Sequence, residues 1–206
     1  MLNKRVVINR YGGPEVIEIL EEPLRKPGAG EVLIKVESAG VAIADIMRRE
    51  GLYPSSPTPP FTPGYDAVGI IEEVGHDVKL FSKGEKAAAF FNGTGGYAAY
   101  VYATEDQLFR VPEGIDSPKA AAVILNYVTA YQMLHRLAKV KEGESLLIQG
   151  ASGGVGTALL ELGSLYKLKM YGTASRPKHN TLTKYGSNAI DYKNEDFVEV
   201  INKNIP

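Results

Sequence analysis

The chain has no cysteine and no tryptophan, and only three of its 206 residues are histidine. The first absence removes disulfides, thiolate metal sites and cysteine nucleophiles together. The histidines, His76, His135 and His179, are widely scattered, so three imidazoles do not gather into a catalytic zinc site. An excess of one charge is lacking too. A net charge of −1 gives no electrostatic case for nucleic acid or an anionic membrane surface. No apolar run is long enough to span a bilayer, and the N-terminal MLNKRVVINR carries no hydrophobic leader core. The expectation is a cytoplasmic protein with no transmembrane segment, no bound metal and a small-molecule partner. What is present in quantity is apolar material, 44% of the residues, enough to bury the core of one or two domains.

The first third reads as β-structure. Apolar segments KRVVINR, VIEIL, EVLIKVESAGV and DAVGIIEEVG are separated by turn clusters such as YGGPE and RKPGAGE. IADIMRREGLY reads as a short helix. PSSPTPPFTPG follows, with five prolines in eleven residues, and reads as a stiff extended loop. EKAAAFF and GGYAAYVYA add further strand. From VPEGIDSPKAAAVILNYVTAYQMLHRLA onward the pattern changes. Ser117 suits an N-cap and Pro118 the first helical position. Val123, Leu125, Val128, Tyr131, Leu134 and Leu137 are expected to bury one long helix. ESLLIQ, LKMYGTA and NAIDY then alternate as strands with three helical segments, the order of a parallel sheet flanked by helices. The expected fold class is α/β in two domains, residues 1–115 and 116–206.

The stretch IQGASGGVG places four glycines in seven residues between a strand and a helix. Ala151, Gly153 and Gly156 give the A-x-G-x-x-G form of the dinucleotide fingerprint, in the strand-to-helix context that the motif requires. Without side chains the backbone turns tightly and admits a pyrophosphate to its N–H groups. The helix that opens near Val155 aims its positive end at the phosphates. Ser152 and Gly154 complete the candidate loop. The alternative is a glycine-rich turn with no ligand. About twenty residues further on, where an NAD enzyme places an acid for the ribose 2′-hydroxyl, there is no Asp or Glu between Glu161 and Asp191. Ser175, Arg176 and Lys178 stand there instead, a hydroxyl and two cations suited to a 2′-phosphate. NADPH is therefore favoured over NADH, the alternative being a solvated basic turn.

In order and spacing, GEVLIKVESAGV, GYDAVG, LNYVTAYQMLHR and GASGGVG make the chain resemble the medium-chain dehydrogenase/reductase superfamily across essentially its whole length. The resemblance implies an N-terminal GroES-like β-barrel domain followed by a Rossmann domain. Tyr65 stands where zinc enzymes of the family carry histidine, and the structural-zinc cysteines are absent, so the zinc-independent quinone-oxidoreductase branch is implied. RREGLYP, LNYVTAYQML and GTAS point within it to the subgroup containing homologues of the synaptic-vesicle membrane protein. By the resemblance, Thr129, Gly153, Gly154, Val155, Ser175, Lys178 and Tyr192 would contact NADPH, and Tyr53 would face the substrate. Ala42 and Met47 depart from the branch, which carries asparagine and tyrosine there.

The activity expected is hydride transfer from NADPH to a quinone or an α,β-unsaturated carbonyl. Tyr53 is the first candidate for donating to the developing oxyanion, with Asp45 and Tyr127 as possible positioning residues. The other readings are packing of Tyr53 on the proline loop, a turn-capping role for Asp45, and Tyr127 as a lining of the helix. A nucleotide-binding homologue without turnover, structural or adaptor in role, is the alternative function. A full doubly wound sheet needs three strands beyond NAIDY. The chain is thus expected to hold the first half of such a sheet, to expose an edge on SLLIQ, to belong to a longer reductase that forms a homodimer, and by itself to associate or aggregate, bind NADPH weakly and turn over little.

Overall fold

The computed structural model describes residues 1–204. Its contacts divide into two compact units, Met1–Leu125 and Asn126–Pro206, and the division falls inside a helix.

In the first unit, β1 (Leu2–Ile8) pairs antiparallel with β2 (Ile17–Pro23). The other strands are β3 (Glu31–Ser38), β4 (Asp66–Val74), β5 (Lys86–Phe90), β6 (Tyr100–Thr104) and β7 (Leu108–Arg110). They form one antiparallel sheet in the order β6-β3-β4-β5-β7. Alternation sets its inner face: Val32 and Ile34 of β3 meet Ala67 and Ile71 of β4, Ala87 and Ala89 of β5, and Val101 and Ala103 of β6. α1 (Ile43–Arg49) is shorter than the expected helix, and Gly51 at φ +74° turns the chain out of it.

α2 (Ser117–Tyr131) opens on Asp116, not on Ser117: the Asp116 carboxylate accepts the Lys119 N–H at 2.8 Å. A carboxylate one residue earlier wins the cap. The buried Ser117 hydroxyl instead donates to Glu37 of β3. The expected burial pattern also needs correcting. Leu134 is buried, but Val123, Val128, Tyr131 and Leu137 are exposed, and the packed positions are Ala121, Ile124 and Ala130. Small side chains let the helix approach closely, so the face rich in alanine, not the face richest in large residues, turns inward. The helix continues as π-type turns over Gln132–Ala138 and stops at Lys139 in a left-handed conformation.

The second unit alternates β8 (Ser145–Ile148), α3 (Gly154–Leu165), β9 (Lys169–Ala174), α4 (His179–Thr183), β10 (Asn188–Asp191) and α5 (Phe197–Asn204). The three strands are parallel in the order β10-β9-β8, as the β-α-β alternation requires. β8 lies at the edge of this sheet, where an exposed edge on SLLIQ was expected, and Leu147 is 37% exposed. The core of this unit joins Ile148, Met170 and Ala174 of the sheet to Leu159 and Leu160 of α3, Leu134, and Leu182 of α4.

Candidate functional site

In the second unit the carboxyl ends of β8, β9 and β10 open into a cleft of about 600 Å³. Three local features build it. The chain leaves β8 through Gly150 and Ala151, whose N–H groups are held by the hydroxyl and carbonyl of Thr173 at 3.1 and 2.9 Å. Gly153 then caps α3, and Thr157 is the first residue to bond back, to the Gly153 carbonyl at 2.8 Å. The first-turn N–H groups of Gly154, Val155 and Gly156 have no acceptor within the helix and carry its positive end. Gly156 fixes how closely the helix lies on the loop. A Cβ there would stand 2.5 Å from the Gly150 carbonyl oxygen and 2.7 Å from the Ala151 backbone.

Of the residues singled out in the sequence, Ser152, Gly153, Ser175, Lys178 and Tyr192 line this cleft together. Ala151 lies fully buried beneath it. Arg176 is exposed and is not part of the wall. It lies near Asp191, whose carboxyl is held below its usual range by a hydrogen bond from the Asn194 side chain, with His179 and Arg176 adding their charge. Thr129 sits half-buried on α2 and does not line the cleft. Gln149, Gly150, Thr173, Ala174 and Phe197 complete the lining. Thr173 was legible only as the end of the strand beside the glycines. The lining contains one cation, Lys178, and no acid. A phosphate-bearing nucleotide fits that donor set.

Tyr127, also in this unit, is engaged elsewhere: its hydroxyl donates to the Glu161 carboxylate, tying α2 to α3. That bond, with burial, pushes the phenol up to about 12.

The first unit contains two polar clusters. Asp45, 4% exposed, accepts the Ala42 N–H at 2.9 Å, the Gly64 N–H at 3.1 Å and the Tyr97 hydroxyl at 2.8 Å. It closes the first turn of α1 and pins the loop before β4, a holding role. Burial, then the bond to Asp45, raises Tyr97. Asp66, 1% exposed, accepts the Gly40 N–H at 2.7 Å; burial raises its carboxyl, and the Asp45 charge adds to the rise.

The second cluster surrounds Tyr53, which follows α1 in a turn closed by Ser56 N–H donating to the Tyr53 carbonyl at 3.0 Å. The Arg48 guanidinium lies 4.7 Å over the Tyr53 ring and 5.2 Å from the centre of the Tyr65 ring. Its Nε donates to the Tyr65 hydroxyl at 3.0 Å. The Tyr53 ring thus faces a buried cation. Nothing in the sequence tied Arg48 to Tyr65, because the link is made in space, between α1 and the start of β4. Among the described residues, no three histidine, aspartate or glutamate side chains come close enough to hold a metal ion.

Residues 28–113 match the alcohol dehydrogenase GroES-like domain. The chain is 40% identical over 174 residues to the quinone oxidoreductase of Homo sapiens, covering 84% of this chain and 53% of that protein. Its fold superposes on the crystal structure of human synaptic vesicle membrane protein VAT-1 homolog-like protein with a TM-score of 0.92 at 32% identity, covering 98% of this chain and 64% of that one. The Escherichia coli quinone oxidoreductase complexed with NADPH gives a TM-score of 0.88 at 28% identity, covering 97% and 62%. The chain spans 42 to 63% of the length of the curated relatives it matches first.

Proposed function

Because the chain belongs to the quinone-oxidoreductase branch of the medium-chain dehydrogenase/reductase superfamily, we propose that it serves an NADPH-dependent reductase of quinones or α,β-unsaturated carbonyl compounds. The observation that carries this reading is the cleft at the carboxyl ends of β8, β9 and β10. It joins the open N-terminus of α3 to Ser175 and Lys178 and contains no acid. The first-turn N–H groups of α3 suit a pyrophosphate. Ser175 and Lys178 suit the 2′-phosphate that distinguishes NADPH from NADH. A relative of the same fold was solved as a quinone oxidoreductase with NADPH, which agrees with this choice.

When bound, NADPH supplies two electrons as hydride. The work left to the protein is to hold the nucleotide and to stabilise charge on the acceptor. A hydrogen-bond donor aimed at the acceptor oxygen would stabilise the negative charge that reduction places there. Tyr53 is assigned that donor role. Asp45 and Tyr127 are assigned support of the scaffold.

The test is calorimetric titration of NADPH into the full-length protein beside NADPH consumption with a panel of small quinones and enones. Binding with turnover supports the reading. Binding without turnover replaces it with a nucleotide-binding protein of the same fold, and absence of NADPH binding removes the cofactor assignment itself.

A further inference from the structure

Arg48 is a buried cation, 9% exposed, on the same face of α1 as Asp45. A buried charge normally has a counter-ion within reach. The next residue, Arg49, has one in Glu50 at 3.0 Å. Arg48 pairs with no carboxylate among the described residues. Asp45, one turn earlier, is already spent: one oxygen accepts the Gly64 N–H, and the other accepts the Ala42 N–H and the Tyr97 hydroxyl. The partners of Arg48 are neutral. Nε donates to the Tyr65 hydroxyl at 3.0 Å and Nη1 to the Ser55 carbonyl at 3.3 Å, with the rings of Tyr53 and Tyr65 alongside. The third nitrogen, Nη2, has no acceptor and is not sealed from solvent.

The fold holds this charge in place at some conformational cost. Ser55 takes a left-handed φ of +60° and presents its carbonyl to the guanidinium. At Gly93, φ is +105°, and a Cβ would stand 2.7 Å from Arg48 Nε and 2.9 Å from Nη2. A fixed guanidinium, shielded on most sides and open at one donor, has the form of an anion subsite. Its surroundings narrow the anion. One cation answers one negative charge, which suits a carboxylate better than a doubly charged phosphate. The guanidinium lies 4.7 Å over the Tyr53 ring, so one small molecule can reach both groups. We infer that Arg48 selects, among unsaturated carbonyl acceptors, those that also carry a carboxylate, which Nη2 holds while the carbonyl oxygen faces Tyr53. The inference rests on the reductase reading and on Tyr53 as the donor to that oxygen. The carboxylate takes no part in bond making. It anchors the acceptor alike in the ground and transition states, so Arg48 sets specificity and not the rate of the chemical step.

The experiment uses the full-length protein with Arg48→Met and Arg48→Lys, and two acceptors, trans-3-benzoylacrylate and its methyl ester. The two differ in intrinsic reactivity, so the readout is the ratio of kcat/KM, carboxylate over ester, compared between proteins. Arg48→Met should lower that ratio roughly 10- to 100-fold, the scale of one charge-assisted hydrogen bond, with the loss in KM for the carboxylate. Arg48→Lys should recover part of it, because the charge returns without the planar fork. A second measurement needs neither turnover nor a variant, and it keeps the test open should Arg48→Met fail to fold. With NADPH present, the wild-type protein should bind the saturated 4-oxo-4-phenylbutanoate at least roughly 10-fold more tightly than its amide, read by ligand-observed NMR. An unchanged ratio in folded Arg48→Met, or equal affinity for acid and amide, overturns the carboxylate subsite while leaving the reductase reading intact. A loss in kcat that is equal for both acceptors also overturns it, and makes Arg48 a support for Tyr53. Preference for the acid without turnover of any acceptor overturns the reductase reading and leaves the subsite standing.

Discussion

Lys178→Ala separates the two halves of the cofactor. Lys178 is the one cation lining the cleft at the end of β9, and no ion pair to a carboxylate holds it among the described residues. Its charge is thus available to a 2′-phosphate. A charge-assisted hydrogen bond contributes up to about 3 kcal/mol, but Lys178 is exposed, and solvent screening keeps the contribution near the lower end. About 1–2 kcal/mol is expected, or roughly a 5- to 30-fold rise in the Kd for NADPH. NADH has no 2′-phosphate, so its Kd should barely move. The difference between the cofactors should shrink as salt rises, because the contact is screened. Arg176→Ala is the internal control: Arg176 is not part of the cleft wall, so its removal should cost less than half as much. Isothermal titration of both cofactors at two ionic strengths measures all of this. Equal losses for NADPH and NADH would refute the 2′-phosphate assignment, and a larger loss from Arg176 than from Lys178 would show that the wrong cation had been chosen.

Tyr53→Phe should lower kcat and kcat/KM together by roughly 10- to 100-fold, because the lost bond forms mainly in the transition state; a rise in KM alone would reassign Tyr53 to ground-state binding. In Gly156→Ala the new Cβ meets backbone at 2.5 and 2.7 Å, so neither obstacle can rotate away. Overpacking should outweigh the gain in helix propensity by about 1–2 kcal/mol, lowering Tm by roughly 3–8 °C and weakening NADPH; an unchanged Tm would show that α3 can shift at no cost. Asp66→Asn keeps an acceptor for the Gly40 N–H but cannot ionise. Because burial raises the Asp66 carboxyl above its ordinary 3.8, the stability it contributes is full below that value and is lost as pH rises through its higher folded value. The stability of the variant relative to wild type should therefore climb from about pH 4 toward neutrality, and a chemical-denaturation series showing a flat or falling difference would contradict the assignment.

What was legible in the sequence was what local chemistry dictates. Glycines between a strand and a helix, alternation in VLIKV, and the β-α-β order each have one physical solution, and the parallel order β10-β9-β8 followed from them. α2 shows where such reasoning ends. It has apolar residues on every side, so periodicity could not choose a face, and the alanines that decided the packing carry little hydrophobic signal. The cap on Asp116 turned on a competition between neighbouring side chains that only geometry settles. In the candidate site, Ser175 and Lys178 stood out because an acid was missing at a known spacing, and both line the cleft. Arg48 was not, since its meaning depends on which rings it lies between and on the carboxylate it does not meet.

The antiparallel sheet of the first unit sets a timetable for synthesis. Asn3 in β1 exchanges two hydrogen bonds with the backbone of Tyr100, its Nδ2 donating and its Oδ1 accepting, across 97 residues. β3 likewise pairs Glu31 with Thr104 of β6. Neither closure is possible until β6 has left the ribosome. At roughly 5–20 residues per second, the contacts of β1 and β3 with β6 wait about 4–20 s, although β1 can already meet β2 and β3 can meet β4. β8, β9 and β10 pair over far shorter stretches, Leu147 with Tyr171 and Ala189 with Gly172. On contact order the later part of the chain is therefore the faster folder once made, and the earlier part is the one exposed to misassociation while it waits.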